Sequence, residues 1–148
     1  ASRHPPLGPA SPGRWRPLCG SAPTPADTHD QTAVLAMIET ADGLANVEEI
    51  CATPGLDGVY VGPSDLRLAI GGTTSTDPSV QGEFEDALAR IRKAAEARGI
   101  AAGIHNADGA SAARRLAEGF TFASVAADVV HLQQIAASHL EAARGGDV

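Results

Sequence analysis

The feature that most constrains this chain is a fourfold alternation of short apolar runs with capped, helix-like segments. Val34 to Ile38, Leu56 to Gly62, Ile100 to Ile104 and Phe120 to Ala126 are the apolar runs. Each is too short for an ordinary helix, and each reads as a strand. The first, a continuous apolar run, is expected to be buried on both faces. Thr40 to Asp42 then supply a capping signal for a helix carrying Leu44, Val47, Glu48 and Ile50, which Pro54-Gly55 ends. Asp77-Pro78 reads as an N-cap followed by proline at the first helical position. Beyond it Val80, Phe84, Leu88, Ile91 and Ala95 form an apolar stripe at helical spacing. Residues 106–109, Asn-Ala-Asp-Gly, open a third helix with Ala112, Ala113, Leu116 and Ala117 on one face. Residues 131–144 form a fourth, on Leu132, Ile135, Ala136 and Leu140. Strand and helix in strict alternation imply parallel strands with right-handed crossovers. The chain is therefore α/β, and four units make either half of an eightfold barrel or a small open sheet.

Residues 1–30 break this pattern. They hold most of the prolines, show neither periodicity, and carry the only tryptophan, Trp15, between Arg14 and Arg16. Such a segment buries little and is expected to be an irregular or poorly ordered arm, leaving 31–148 as the folded domain. The formal net charge of −7 argues against nucleic acid or an acidic membrane as partner. Cys19 and Cys51 are too few and too far apart for a disulfide framework or a thiolate metal site. No apolar run approaches the roughly 20 residues of a membrane span. A reduced, cytoplasmic protein is the expectation.

Ligand sites in parallel α/β folds gather at the carboxyl ends of the strands. Glu39, Asp65, His105 and Asp128 all fall at or just past such ends. Glu39 and Asp65 follow neighbouring strands, so their carboxylates can share a divalent cation while leaving positions open for water and substrate. The competing reading makes Glu39 a cap for the following helix and Asp65 a cap for a turn. Gly62-Pro63-Ser64-Asp65 can bring backbone close to a ligand and present the amides of Ser64 and Asp65 to an anion. His105 is expected to be a hydrogen-bonded rim residue, Asp128 a helix cap, and His131 and His139 solvated. There is no phosphate-binding loop, dinucleotide fingerprint or serine nucleophile elbow.

Three stretches carry a family resemblance: AMIETADGLANVEEI from Ala36, PGLDGVYVGPSDLRLAIGG from Pro54, and FASVAADVVHL from Phe122. Together they resemble the HpcH/HpaI aldolase/citrate lyase family, the metal-dependent pyruvate-type aldolases. The similarity runs through AAGIHNADGA, and His4 to Gly8 is similar to a segment that precedes this region in the family; residues 9–30 do not follow the family pattern.

The resemblance implies a TIM-type (β/α)₈ barrel of which this chain is the C-terminal portion, strands five to eight. It implies Mg²⁺, Mn²⁺ or Co²⁺ on Glu39 and Asp65, with Gly62, Pro63, Ser64 and Asp65 holding the carboxylate of pyruvate or another 2-oxo acid. The implied reaction is reversible aldol cleavage of a 4-hydroxy-2-oxo acid to a 2-oxo acid and an aldehyde, with the cation stabilising the charge that develops. The family's acid/base His and its keto-contacting Arg belong to earlier strands, so no catalytic residue of this chain is assigned by matching. Half a barrel leaves two open edges and an uncovered inner face. The chain is therefore expected to aggregate, to form a homo-oligomer, or to pair with a complementing N-terminal half. Two alternatives accompany the aldolase reading: a non-catalytic fragment of such a barrel, and the acyl-CoA lyase branch acting on malyl- or citryl-CoA.

Overall fold

The computed structural model describes residues 32–145; the Pro-rich arm expected over 1–30, with Trp15 and Cys19, lies outside the described residues. Strands β1 (Leu35–Ile38), β2 (Gly58–Val61), β3 (Ala101–Asn106) and β4 (Phe122–Val125) form one parallel sheet in the order β1-β2-β3-β4. Each strand neighbours the next one in sequence, the order that successive crossovers of the common right-handed kind produce. The order never reverses, unlike that of a doubly wound sheet.

Short helices α1 (Ala41–Ala45) and α2 (Val47–Cys51) link β1 to β2. A single helix was expected there, but Asn46 leaves the helical region at φ −105° and ψ 17° and separates the two. Its side chain donates to Asp42 O at 2.8 Å, the local alternative to helix that asparagine offers. Helix α3 (Pro63–Ala69) follows β2. A 3₁₀ turn (Pro78–Val80) capped by Asp77 then leads into α4 (Gln81–Glu96). Helix α5 (Gly109–Ala117) starts on Asp108, which accepts from Ser111 N at 2.7 Å in a capping box. Helix α6 (Asp128–Ala143) begins three residues earlier than the apolar spacing suggested.

The core lies between the sheet and the helices. Ile38, Val59, Val61, Ala102 and Ile104 point into it from alternate strand positions, against Val47, Cys51, Phe84, Leu88, Ile91 and Ala95. All five residues of the predicted α4 stripe are buried. The opposite face of the sheet is open. Leu35 and Met37 remain 42% and 52% exposed, so β1 is buried on one face and not on both as expected.

Helices α5 and α6 also depart from expectation. In α5 it is Arg115 that turns inward, at 4% exposure, while Leu116 is 46% exposed and Ala113 and Ala117 are exposed. Arg115 binds Glu85 on α4 through both terminal nitrogens, at 2.6 and 2.8 Å, and Glu118 at 2.8 Å. Those bonds satisfy a buried cation, which apolar patterning does not anticipate. In α6 no residue is buried, and Leu132, Ile135 and Leu140 are more than half exposed. Its stripe therefore covers no core among the described residues.

Candidate metal and substrate site

The strand register aligns one row of residues at the carboxyl edge. Ile38 pairs with Val61 and Val61 with Ile104, so Glu39, Gly62 and His105 come next in line, and His105 pairs with Ser124. Alternation sends these positions to the open face, opposite Ile38, Val61 and Ile104. A Cβ on Gly62 would collide with Glu39 Oε2 and lie 3.1 Å from Glu39 Cβ. Glycine at that position thus lets the Glu39 side chain lie across β2.

The capping roles weighed for the two carboxylates are taken by other groups. Thr40 Oγ1, not Glu39, accepts from Gly43 N at 3.0 Å to cap α1. Gly62 is the N-cap of α3, Pro63 its first residue, and Ser64 and Asp65 complete its first turn, which makes no side-chain cap hydrogen bond. The Gly-Pro-Ser-Asp stretch is therefore a helix start with proline where its missing N–H costs nothing. Asp65 is exposed and Glu39 half-buried. Neither has a hydrogen-bonding or ion-pairing side-chain partner among the described residues.

No group of three His, Cys, Asp or Glu side chains converges on a metal-sized site among the described residues. Two carboxylates alone would be a donor set that suits Mg²⁺, which keeps several waters and takes one or two carboxylates. The amides of Ser64 and Asp65 belong to a first helical turn, whose N–H groups have no intrahelical acceptor.

Sequence reasoning missed the arrangement one step along the row. His105 Nδ1 lies 2.8 Å from Ser124 Oγ, and Ser124 Oγ also hydrogen-bonds the hydroxyl of Tyr60. The Tyr60 ring stacks on Phe122 with centroids 5.7 Å apart. That ring occupies the space over Gly103, where a Cβ would run into it. Period-two alternation combined with the register would have found the cluster: Tyr60, Gly103, His105, Phe122 and Ser124 share one face. Asn106, on the other face, donates to Ile104 O at 3.0 Å and Ser124 O at 3.3 Å, fastening the end of β3 to β4. Asp128, expected to cap this helix, is instead its first residue: Ala127 is the N-cap, no side chain caps the turn, and Asp128 Oδ1 accepts only from the adjacent Val129 N at 2.7 Å. His131, expected to be solvated, is exposed but lies 3.2 Å from Val125 O through Nε2; His139 is exposed.

A model of the HpcH/HpaI aldolase/citrate lyase family matches residues 8–134. The chain belongs to this family. A hydroxypyruvate/pyruvate aldolase of Rhizorhabdus wittichii is 39% identical over 119 residues, which is 80% of this chain and 47% of that protein. A 5-keto-4-deoxy-D-glucarate aldolase of Klebsiella pneumoniae is 38% identical over 105 residues, 70% of this chain and 40% of its own length. Among solved structures, an HpcH/HpaI family protein of Burkholderia cenocepacia superposes with a TM-score of 0.71 at 33% identity, covering 97% of this chain and 57% of that one. A citrate lyase beta subunit of M. tuberculosis, complexed with oxaloacetate and magnesium, gives 0.56 at 24% identity over 69% of this chain and 51% of that subunit. This HpcH/HpaI chain spans about half the length of the curated relatives it matches. Its parallel sheet is the barrel-like α/β architecture of these neighbours.

Proposed function

We propose that this chain carries the metal corner of a 2-oxo acid aldolase, with Glu39 and Asp65 as the protein ligands of Mg²⁺, Mn²⁺ or Co²⁺. The observation that carries the reading is the pair of carboxylates without partners among the described residues, Glu39 just past β1 and Asp65 in the first turn of α3 after β2, with Gly62 beside Glu39. General metal dependence in the family and the aldolase names of the relatives support it. When bound, the cation would supply positive charge to the carboxylate and keto oxygens of the substrate and offset the charge that grows as the C–C bond opens. Glu39 and Asp65 hold it; Gly62 lets the substrate approach the backbone; Pro63 fixes the turn; the Ser64 and Asp65 amides orient the substrate carboxylate.

In this reading the reaction is cleavage of a 4-hydroxy-2-oxo acid to pyruvate or a similar 2-oxo acid and an aldehyde. The chain supplies strands five to eight of the barrel, a role supported by the sequential parallel order and the single helix-covered face. The group that accepts the C4 hydroxyl proton belongs to the other half. Exposure of Leu35 and Met37 on the inner face favours a companion there, either a second copy or a complementing N-terminal half. The same exposure favours a second reading, a non-catalytic fragment that folds and binds metal without turnover.

Pyruvate release from a 4-hydroxy-2-oxo acid in the presence of Mg²⁺, Mn²⁺ or Co²⁺ tests the proposal. Metal-dependent release abolished by Glu39→Ala and by Asp65→Ala is the expected result. Metal binding without pyruvate release would favour the fragment reading, and release insensitive to both substitutions would refute the site. Sedimentation tests the companion: a monodisperse monomer that melts cooperatively would contradict it.

A further inference from the structure

The hydrogen-bonded chain from Tyr60 through Ser124 to His105 has no part in the metal corner, yet it lies on the same face, with His105 and Ser124 in the same row. Its polarity follows from elementary acidity. A phenol is a stronger acid than an aliphatic alcohol, which favours the Tyr60 hydroxyl as donor to Ser124 Oγ. In that polarity Ser124 donates its own proton to His105 Nδ1, 2.8 Å away. With Nδ1 an acceptor, the neutral imidazole carries its hydrogen on Nε2. Bonds in such a series polarise one another, which holds the ring orientation. Phe122, stacked on Tyr60 over Gly103, braces the phenol from below.

The direction of that N–H matters because of what stands beside it. Glu39 and His105 flank Gly62, two strand spacings apart, or about 9–10 Å between Cα atoms. The Glu39 side chain lies over Gly62, and no side chain on Gly62 fills the remaining gap. In the proposed function, a 2-oxo acid whose C1 and C2 oxygens meet a cation held by Glu39 and Asp65 would have the imidazole across Gly62 within the span of its third and fourth carbons.

We infer that His105 Nε2–H is a specificity-determining donor to the oxygen on C4 of the substrate, with Ser124 and Tyr60 as its positioning residues. The inference rests on the metal-corner reading for where C1 and C2 sit. It adds a site in this chain for the aldehyde-derived half of the substrate. His105 selects substrates with oxygen at C4 over those with carbon there.

The test uses the full chain with Mg²⁺ and two uncleavable probes of one shape. 4-Methoxy-2-oxobutanoate has an ether oxygen on C4; 2-oxohexanoate has a methylene in its place. One hydrogen bond of ordinary strength makes the ether bind about 3- to 10-fold tighter. The preference disappears in His105→Ala, returns in part in His105→Gln, which keeps an N–H near Nε2, and shrinks in Ser124→Ala and Tyr60→Phe. Nitrogen NMR of the imidazole finds the hydrogen on Nε2 in the parent chain and moves it toward Nδ1 in Ser124→Ala. Oxalate with Mg²⁺, which has no C4, binds the parent and all four variants alike. Equal binding of the two probes while oxalate binds, or a preference that survives in His105→Ala, overturns the inference and leaves the metal corner standing. Failure of oxalate to bind the parent chain with Mg²⁺ overturns the metal corner and this inference with it.

Discussion

Arg115 gives the sharpest test of how the helical layer is held, because its ion pairs are lopsided. The arginine side chain is 5% exposed, whereas those of Glu85 and Glu118 are 40% and 32% exposed. Removing the two acids, in Glu85→Gln with Glu118→Gln, strands a buried guanidinium with neutral partners. Loss of partners from a buried charge costs about 3–5 kcal/mol. Removing the cation instead, in Arg115→Met, lets both acids turn back to water and keeps an apolar stem in the slot. That change forfeits pairing close to the surface scale and should cost about 1–2 kcal/mol. Urea unfolding of the three proteins, compared at equal m-value, reads the difference directly. The ordering should persist in 1 M salt, since a buried cation is poorly screened. If Arg115→Met is the more destabilised of the two, burial of the cation does not control the energetics and the reasoning fails. The consequence reaches the site, because Arg115 ties α5 to α4 beneath the loop after His105. A cavity of about 200 Å³ there is lined by Pro63, Arg67, Phe84, His105, Asn106 and Arg115 among others.

Three further outcomes follow from single groups. The Thr73 and Ser79 side chains, with their backbone amides, all donate to Asp77 and hold its carboxyl well below the usual carboxylate range. A carboxyl lowered in the folded state contributes stability above its unfolded pKa of about 4 and loses it as pH falls toward the folded value. Melting temperature should therefore drop below about pH 4, and the drop should be shallower in Asp77→Asn; equal slopes would refute the assignment. Ala126 sits at φ 51°, where a Cβ is disfavoured. Thermal melts should find Ala126→Gly more stable by about 0.5–1 kcal/mol after the glycine's unfolded-state entropy is counted. Gly103→Ala drives a Cβ into the Phe122 ring and should cost about 1–3 kcal/mol in urea titrations, with loss of the Tyr60–Phe122 stack in near-ultraviolet dichroism.

The alternation of strands and helices was legible because each junction carries its own chemistry. Asp77-Pro78, Asp108 with Ser111, and Gly99 and Gly119 at positive φ mark element ends independently of burial. The α4 stripe was legible because its partners are the strands and helices of the described core. Residues without cover among the described residues were not. Leu35, Met37 and the α6 leucines look like core in sequence and are exposed among the described residues, since apolar patterning records a need for cover without naming its source. Burial of Arg115 was not legible for the opposite reason: it is a charged residue buried by partners thirty residues before it and three after. Within the site, Glu39 and Asp65 could be proposed from strand-end position alone. The freedom of their carboxylates from capping duty could not, because Thr40 and Glu39 are equally plausible caps until the backbone is seen. The His105 chain depended on register across three strands, which no local pattern contains.

In the proposed function Glu39 and Asp65 hold one cation between them. Titration of the chain with Mn²⁺, followed by electron paramagnetic resonance of the free ion, tests it without requiring turnover. The account predicts one bound ion per chain, with affinity reduced at least about tenfold by Glu39→Ala and by Asp65→Ala, the scale of a lost charged ligand, and unchanged by Asp128→Ala. Equal Mn²⁺ affinity in the parent chain and in both site variants would contradict it.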